Sequence, residues 1–435
     1  MKSASASKVA GASSSRPGNR EQDAPATLDP RPALAAKLRF PEFRDGPGWE
    51  ERRVQDICEL NPSHPGLPEK FFYIDLEAVQ RGHLKARTFV NKSEAPSRAQ
   101  RLLEVGDVIF QIVRPYQRNN LFFSLRDSHP FVASTGYAQL RARESEAFLY
   151  HAIHTDEFVS RVMAQCTGSS YPAINSSDLA EIPLATPSLA EQQKIAECLG
   201  SLDELIGAES QKLDALKTHK KGLMQQLLPR EGEALPRLRF PEFQSSQEWE
   251  TKVGGNLFTN RKEDGEEGLP IYSVTMNDGM VPRASFDRDF SDIEDPAGNK
   301  KACRGDIAYN MMRMWQGALG VAPGDCMVSP AYIVLKPRRG VCAEFFAYLF
   351  KLPQSLRLLT ATSRGLTKDR LRLYFDDFAK MRLRVPEYGE QHRIATCLTS
   401  LDDLIAAQIN RLSALQIHKQ GLMQQLFPSP ADADA

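Results

Sequence analysis

Residues 187–229 read PSLAEQQKIAECLGSLDELIGAESQKLDALKTHKKGLMQQLLP, and residues 386–428 read PEYGEQHRIATCLTSLDDLIAAQINRLSALQIHKQGLMQQLFP. The two stretches align without a gap and are identical at 25 of 43 positions, including the run Gly-Leu-Met-Gln-Gln-Leu at 222–227 and 421–426. In the first copy Ile195, Leu199, Leu202, Ile206, Leu213, Leu216, Leu223 and Leu227 alternate by four and three residues once Glu209 and Lys220 are counted as polar members of the row. That is the heptad pattern of a helix with one apolar seam. The second copy repeats it with Ile394, Leu398, Leu401, Ile405, Leu412, Leu415, Leu422 and Leu426, and places Gln408 and Lys419 in the polar slots. Polar residues in the same slots of both copies point to a specified register, because a slipped pairing would bury them against apolar neighbours. An amphipathic surface helix without a dedicated partner is the simpler alternative. Pro187 and Pro386 precede the helices, Glu191 and Glu390 lie in the first turns where negative charge suits the helix dipole, and Pro229 and Pro428 stop them.

The duplication extends outward. Lys37-Leu-Arg-Phe-Pro-Glu-Phe43 returns as Arg237-Leu-Arg-Phe-Pro-Glu-Phe243, Trp49-Glu50 as Trp249-Glu250, and Gly106-Asp107 as Gly305-Asp306. A period near 200 residues is too long for a solenoid and marks a doubled half-protein. The expected organisation is a disordered leader at 1–36, a domain at 37–186, a helix at 187–229, a linker at 230–236, a second domain at 237–385, a second helix at 386–428 and a tail at 429–435. Each helix is expected to pair antiparallel with its copy. The end of the first helix feeds the start of the second domain, and by pseudo-twofold symmetry the end of the second should lie near the start of the first domain. The fold class is therefore α+β, with two mixed α/β domains separated by a pair of long antiparallel coiled-coil helices.

The two domains share little sequence beyond these landmarks. In the first, strands are expected at 71–76, 107–113 and 131–140, followed by a helix over 147–164. In the second the same order is expected at 270–274, 306–310 and 326–335, with a helix over 342–352. Conserved scaffolding around divergent domains is the form a shared frame with two different reading heads would take; simple drift of the domains would look similar.

The 435 residues carry 55 Lys+Arg and 55 Asp+Glu, a net charge of zero, with a mean hydropathy of −0.41 and no long apolar run. No membrane span is expected. Seven scattered cysteines without a CxxC pair, and no export signal, argue against a zinc site and for the cytoplasm. The charge is unevenly spread. Residues 81–118 hold eight Lys/Arg against three acids, and residues 351–384 hold nine against three. Within the first stretch Arg114-Pro-Tyr-Gln-Arg-Asn-Asn120 mixes guanidinium, amide and aromatic groups, the residue types that read base edges and hold phosphates. Candidate DNA contacts are Gln111, Arg114, Tyr116, Gln117, Arg118, Asn119, Ser170 and Tyr171 in the first domain. In the second they are Asn310, Arg313, Trp315, Gln316, Arg364 and Lys368. A solvated basic loop is the plain alternative. No phosphate-binding loop, dinucleotide fingerprint, HExxH, GxSxG, Asn-Pro-Pro-aromatic or nuclease pattern occurs.

These landmarks resemble the specificity (S) subunits of type I restriction-modification systems. The resemblance is carried by Phe40-Pro-Glu-Phe43 with Trp49, Ala95-Pro-Ser-Arg98, Gly106-Asp107-Val108, Arg114-Pro-Tyr116, Ile182-Pro183-Leu184, Glu191-Gln192-Gln193-Lys194-Ile195 and Gly222–Leu227, and by Glu390-Gln391 and Gly421–Leu426 in the second copy. The second half has Arg313-Met-Trp315 where the first has Arg-Pro-Tyr. The resemblance implies two target-recognition domains, each reading one half of a bipartite double-stranded DNA site, and a helical spacer that sets the distance between the halves. It implies docking of two modification (methyltransferase) subunits, which bring S-adenosylmethionine and methylate adenine N6, and of restriction subunits that translocate and cleave. It implies no active site, cofactor or metal in this chain. The competing readings are a coiled-coil scaffold that binds protein only and the remnant of a fused DNA methyltransferase or nuclease.

Overall fold

The computed structural model describes residues 34, 36–286, 298–367 and 370–429. The chain divides into two units, residues 1–200 with 420–435, and residues 201–419.

In the first unit, strand Glu50–Arg53 pairs antiparallel with Pro183–Thr186, so the two ends of the domain are tied together beside the start of the long helix. Between them lie two four-stranded sheets. One runs in the order Thr88–Asn91, Lys70–Ile74, Phe131–Ser134, Ala99–Leu103, with the two central strands parallel. The other runs Cys58–Leu60, Tyr137–Ala142, Val108–Gln111, Leu121–Phe122 and is antiparallel throughout. All four residues of Val108–Gln111 are buried. Val108 and Phe110 face a core with Trp49, Phe148 and Phe158, while Ile109 faces a second core with Ile74, Phe131 and Tyr137. A strand covered on both faces reads as a continuous apolar run, as this one does.

The second unit repeats both sheets strand for strand. One is ordered Phe258–Arg261, Tyr332–Pro337, Ile307–Asn310, Leu319–Val321; the other is Met280–Pro282, Ile271–Val274, Cys326–Val328, Lys300–Ala302. Strand Glu250–Val253 again pairs with the strand before the helix, Arg382–Val385.

The Gly-Asp landmark is structural in both copies. Asp107 accepts the Glu104 backbone N–H (2.7 Å), the Gln139 amide (2.6 Å) and Nε of Arg141 (2.9 Å). Asp306 accepts the Cys303 N–H (2.8 Å) and Nε of Arg261 (2.6 Å). A carboxylate this deeply buried is tolerated because a backbone N–H and an arginine converge on it in each copy.

Four expectations need correction. The strand expected over 131–140 is two strands in different sheets, broken at Thr135-Gly136. The Ser134 hydroxyl accepts the Gly136 N–H (3.2 Å), and a Cβ on Gly136 would lie 2.7 Å from Leu76 Cδ1. The strand expected over 326–335 breaks in the same place around Pro330, which has no N–H to give a ladder. The helix expected over 147–164 is two, Glu146–Ala152 and Asp156–Gln165. Thr155 sits at the break, donating to Ala152 O (2.8 Å) and accepting from Phe158 N–H (3.3 Å). Packed chain also begins before residue 37, since Leu34 bridges Trp49 and Ala36 is buried, both within the expected leader.

The long helices span Leu189–Leu227 and Tyr388–Leu426, 39 residues each. In the second unit their contacts run in opposite directions along the two helices: Asp203 with Lys419, Glu209 with Gln408 and Arg411, Lys220 with Asp402. The pairing is antiparallel. None of the expected seam residues is exposed. The polar slots pair with partners rather than with solvent. Gln408 Nε2 donates to Glu209 Oε2 (2.6 Å) and to its carbonyl (3.0 Å), and Arg411 reaches Glu209 Oε1 (2.7 Å). Lys419 holds Asp203 (2.5 Å), and Lys220 holds Asp402.

At the outer ends the seam merges with the domain cores. Ile195 and Leu199 lie in the first unit's core with Leu426 and Phe427, and Phe427 stacks on Phe148 and meets Trp49 edge-on at 5.8 Å. Ile394 and Leu398 lie in the second unit's core with Leu227, Leu228 and Trp249. The Leu38 N–H donates to Gln425 O (2.9 Å), and the Leu238 N–H to Gln226 O (3.0 Å). Each Arg-Phe-Pro-Glu-Phe landmark therefore sits against the end of a helix, and its arginine clamps the start of another. Arg39 bonds both oxygens of Glu191 (2.9 and 2.6 Å), and Arg239 both oxygens of Glu390 (2.8 and 2.7 Å).

Candidate nucleic-acid interface

In the first domain the buried strand ends at Gln111 and the chain enters a loop with unusual backbone geometry. Arg114 (φ +56°) and Arg118 (φ +52°) are both left-handed and flank a short turn, Pro115–Gln117. Non-glycine residues hold that conformation only when their surroundings impose it. Here the imposing groups are amides. Gln111 Nε2 donates to Gln117 Oε1 (3.0 Å), its Oε1 accepts the Asn119 N–H (3.3 Å), and its backbone N–H donates to Asn120 Oδ1 (2.8 Å). Asn120, fully buried, is bonded in turn to His154 Nε2 (3.3 Å). A second segment closes the other side. Val113 bridges Ala173, and the Arg114 N–H donates to Pro172 O (2.7 Å). This brings Tyr171 over Arg114, with the guanidinium carbon 4.1 Å from the ring centroid.

The surface so formed presents Tyr116, Gln117, Ser170 and Tyr171 to solvent, with Tyr171 65% exposed and Tyr116 50%. Arg114 stacks on Tyr171 without an ion-pair partner among the described residues. The structure assigns other work to three of the candidates. Gln111 is buried and its amide is spent holding the loop, so it supports rather than reads. Arg118 is bound to Asp156 (2.6 Å) and His154 O (3.1 Å). Asn119 accepts the Arg81 N–H (3.2 Å). The sequence gives no sign of His154 and Asp156 as members of this constellation, because they come from elements distant in the chain, and it places Asn120 in the loop without showing that the residue is buried.

The second domain builds the same place from different residues. Asn310 ends the corresponding strand, its Oδ1 accepts the Met312 N–H (3.0 Å), and Trp315 Nε1 donates to Met312 O (3.0 Å). Arg313 and Gln316 are exposed, whereas Met314 between them is buried. The closing segment again lies alongside, with the Leu373 N–H donating to Met311 O (2.9 Å) and Arg364 bridging Arg372. Arg364 is paired with Asp377 (2.7 Å) and lies over Tyr374. Lys368 lies outside the described residues. No non-glycine residue of this domain has a positive φ among those described, so its loop is not forced in the way the first is.

Burial pushes the thiol of Cys58 up to about 12 and that of Cys342 up to about 11, which keeps them protonated and poor nucleophiles. Among the described residues no three His, Cys, Asp or Glu side chains gather as a metal site would require, and no helix is long and apolar enough to cross a membrane.

The first domain and its helix, residues 47–218, match the family described as the type I restriction modification DNA specificity domain. The chain is 26% identical over 398 residues to a protein of Methanocaldococcus jannaschii assigned as the type I restriction enzyme MjaX specificity subunit, covering 85% of this chain and 90% of that one. By these matches the chain is similar to the specificity subunits of type I restriction-modification systems, with residues 47–218 carrying the DNA specificity domain. Two solved structures share the fold. A type I restriction-modification S subunit from M. genitalium has a TM-score of 0.59 at 16% identity, covering 91% of this chain and all of that one. A chain from work on complex assembly and conformational transition of a type I system has a TM-score of 0.51 at 23% identity, covering 88% of this chain and 98% of that one.

Proposed function

We propose that each domain reads one half of a bipartite duplex DNA site, and that the paired helices set the spacing between the halves. The observation that carries this reading is the amide-braced loop 111–120 with Arg114 stacked under exposed Tyr171. Such a surface offers a guanidinium, an amide and two rings held in place, and holding them before contact lowers the entropy lost on binding. The corresponding surface of the second domain is differently composed, as reading a different half-site requires. We further propose that the chain docks two modification subunits carrying S-adenosylmethionine and is joined by restriction subunits, working in the cytoplasm on adenine N6 methylation. The clamps Arg39–Glu191 and Arg239–Glu390 support this, because they couple each reading domain stiffly to a helix on which such subunits could assemble.

The test is duplex binding by the chain assembled with its modification subunits, titrated at several salt concentrations, with methylated adenines mapped in the same system. A bipartite methylated sequence and affinity that falls steeply with salt are expected. Tyr171→Ala should relax or lose recognition of one half-site and leave the other intact. Salt-independent binding, or loss of both half-sites, would sink the reading.

A further inference from the structure

Among the described residues four that are not glycine have a positive φ: Asn61, Arg81, Arg114 and Arg118. Three are arginines, and those three meet at one place. Arg81 lies at the tip of a hairpin, Val79–Gln80 paired with His83–Leu84, in which Gln80 faces His83. Its two central residues, Arg81 (φ +48°) and Gly82 (φ +80°), both have the positive φ that a two-residue hairpin of this kind demands. Asn, Asp or Gly normally fill the first of these positions; arginine there is unfavourable. The hairpin is nevertheless built firmly. Ala78 and Val79 are buried in the core beside Ile74, and a Cβ on Gly82 would meet the Tyr150 hydroxyl at 2.4 Å. The Arg81 N–H is tied to Asn119, inside the braced loop. The second domain has no counterpart among its described residues. Its matching strands are joined by residues 275–279 alone, where the first domain has residues 75–87.

We infer that this hairpin is an added DNA-contacting element of the first domain, with Arg81 holding a backbone phosphate beside the bases read by the 111–120 loop. The inference rests on the DNA-reading assignment above and goes beyond it in adding an element outside that loop. Phosphate is favoured over a base edge by the side chain's freedom. Arg81 is exposed, and among the described residues its guanidinium has neither an ion pair nor a hydrogen bond to aim it. A base-reading arginine is normally held in a fixed fork; a mobile one suits a phosphate. Lys85, exposed at the hairpin's foot, adds charge of the same sign, whereas Arg118 and Arg87 are already neutralised by Asp156 and Asp127.

Arg81→Gly is the suitable variant, because glycine adopts the required φ without strain and leaves the N–H bond to Asn119 in place. Its binding, with the full chain assembled with modification subunits, is measured on a duplex bearing the mapped methylation sequence and on an equal-length duplex lacking it. Both affinities should fall by the same factor, up to about tenfold at ~0.1 M salt, and the salt slope should drop by about one. Arg81→Lys should retain most of the affinity. Unchanged affinity and slope would overturn the inference. Loss on the cognate duplex alone would overturn the phosphate assignment by making Arg81 a base reader. If the unmodified assembly bound neither duplex, the DNA-reading assignment itself would fail.

Discussion

The arginine of each Arg-Phe-Pro-Glu-Phe landmark acts as a clamp. Arg39 and Glu191 have side chains only 10% and 2% exposed, and they meet through two bonds. Removing one member leaves the other buried without its counter-charge. Glu191→Ala should therefore destabilise the first unit by about 3–5 kcal/mol, read as a lower midpoint in chemical denaturation. A change under ~1 kcal/mol would mean that the clamp is replaceable. At this scale the sequence was a partial guide. It marked Arg39, Glu191, Gly106 and Asp107 as repeated, but repetition alone does not say whether a residue reads DNA or holds the frame. It placed Arg114 and Tyr171 among the candidates without bringing them together, since their meeting depends on how residues 167–174 lie along the 111–120 loop. In the sequence Gln111 is an amide beside a basic loop, the residue type of a base reader. Only its burial shows that its donors and acceptors are already used.

Among the elements, the long helices were the most readable, because a seam sustained over many turns outweighs local ambiguity. The strand-to-strand breaks at Gly136 and Pro330 were not, since an apolar run crossing from one sheet to the next keeps its apolar character. The helix break at Thr155 was hidden for a similar reason: one lost turn preserves the spacing of Phe148 and Phe158. The polar centre of the helix pair makes a measurable claim. Gln408 supplies two of the bonds to Glu209, so Gln408→Leu should leave that carboxylate with Arg411 alone. A loss of about 1–3 kcal/mol in the thermal or chemical stability of the chain is expected. Equal or greater stability would show that an apolar seam residue is the better occupant, as happens with some buried ion pairs.

For the molecule as a whole, the proposed ruler can be measured. Removing one heptad from each long helix keeps the seam in phase and shortens each helix by about 10 Å. At about 3.4 Å per base pair the spacer in the methylated sequence should shrink by roughly three base pairs, while both half-sites stay the same. An unchanged spacer would refute the ruler. A net charge of zero, taken over the whole chain, offers no surplus of cations for a nucleic-acid partner. The braced loop, its stacked Arg114 and the Arg81 guanidinium, unpaired among the described residues, show why the total misleads: what matters is which cations are left unneutralised and where they sit.

The centre of the helix pair also bears on the ancestry of the chain. Glu209 faces Gln408, its own counterpart in the repeat, and the two Lys–Asp bridges are counterparts of one another. A product of either half alone, pairing with a second copy of itself, would keep both bridges. It would differ at the centre. Two first halves would bring two carboxylates together, and two second halves would bring two amides able to bond each other. A gene fusion or crossover between the copies would thus disturb the seam at its centre, the one seam position where the two copies differ.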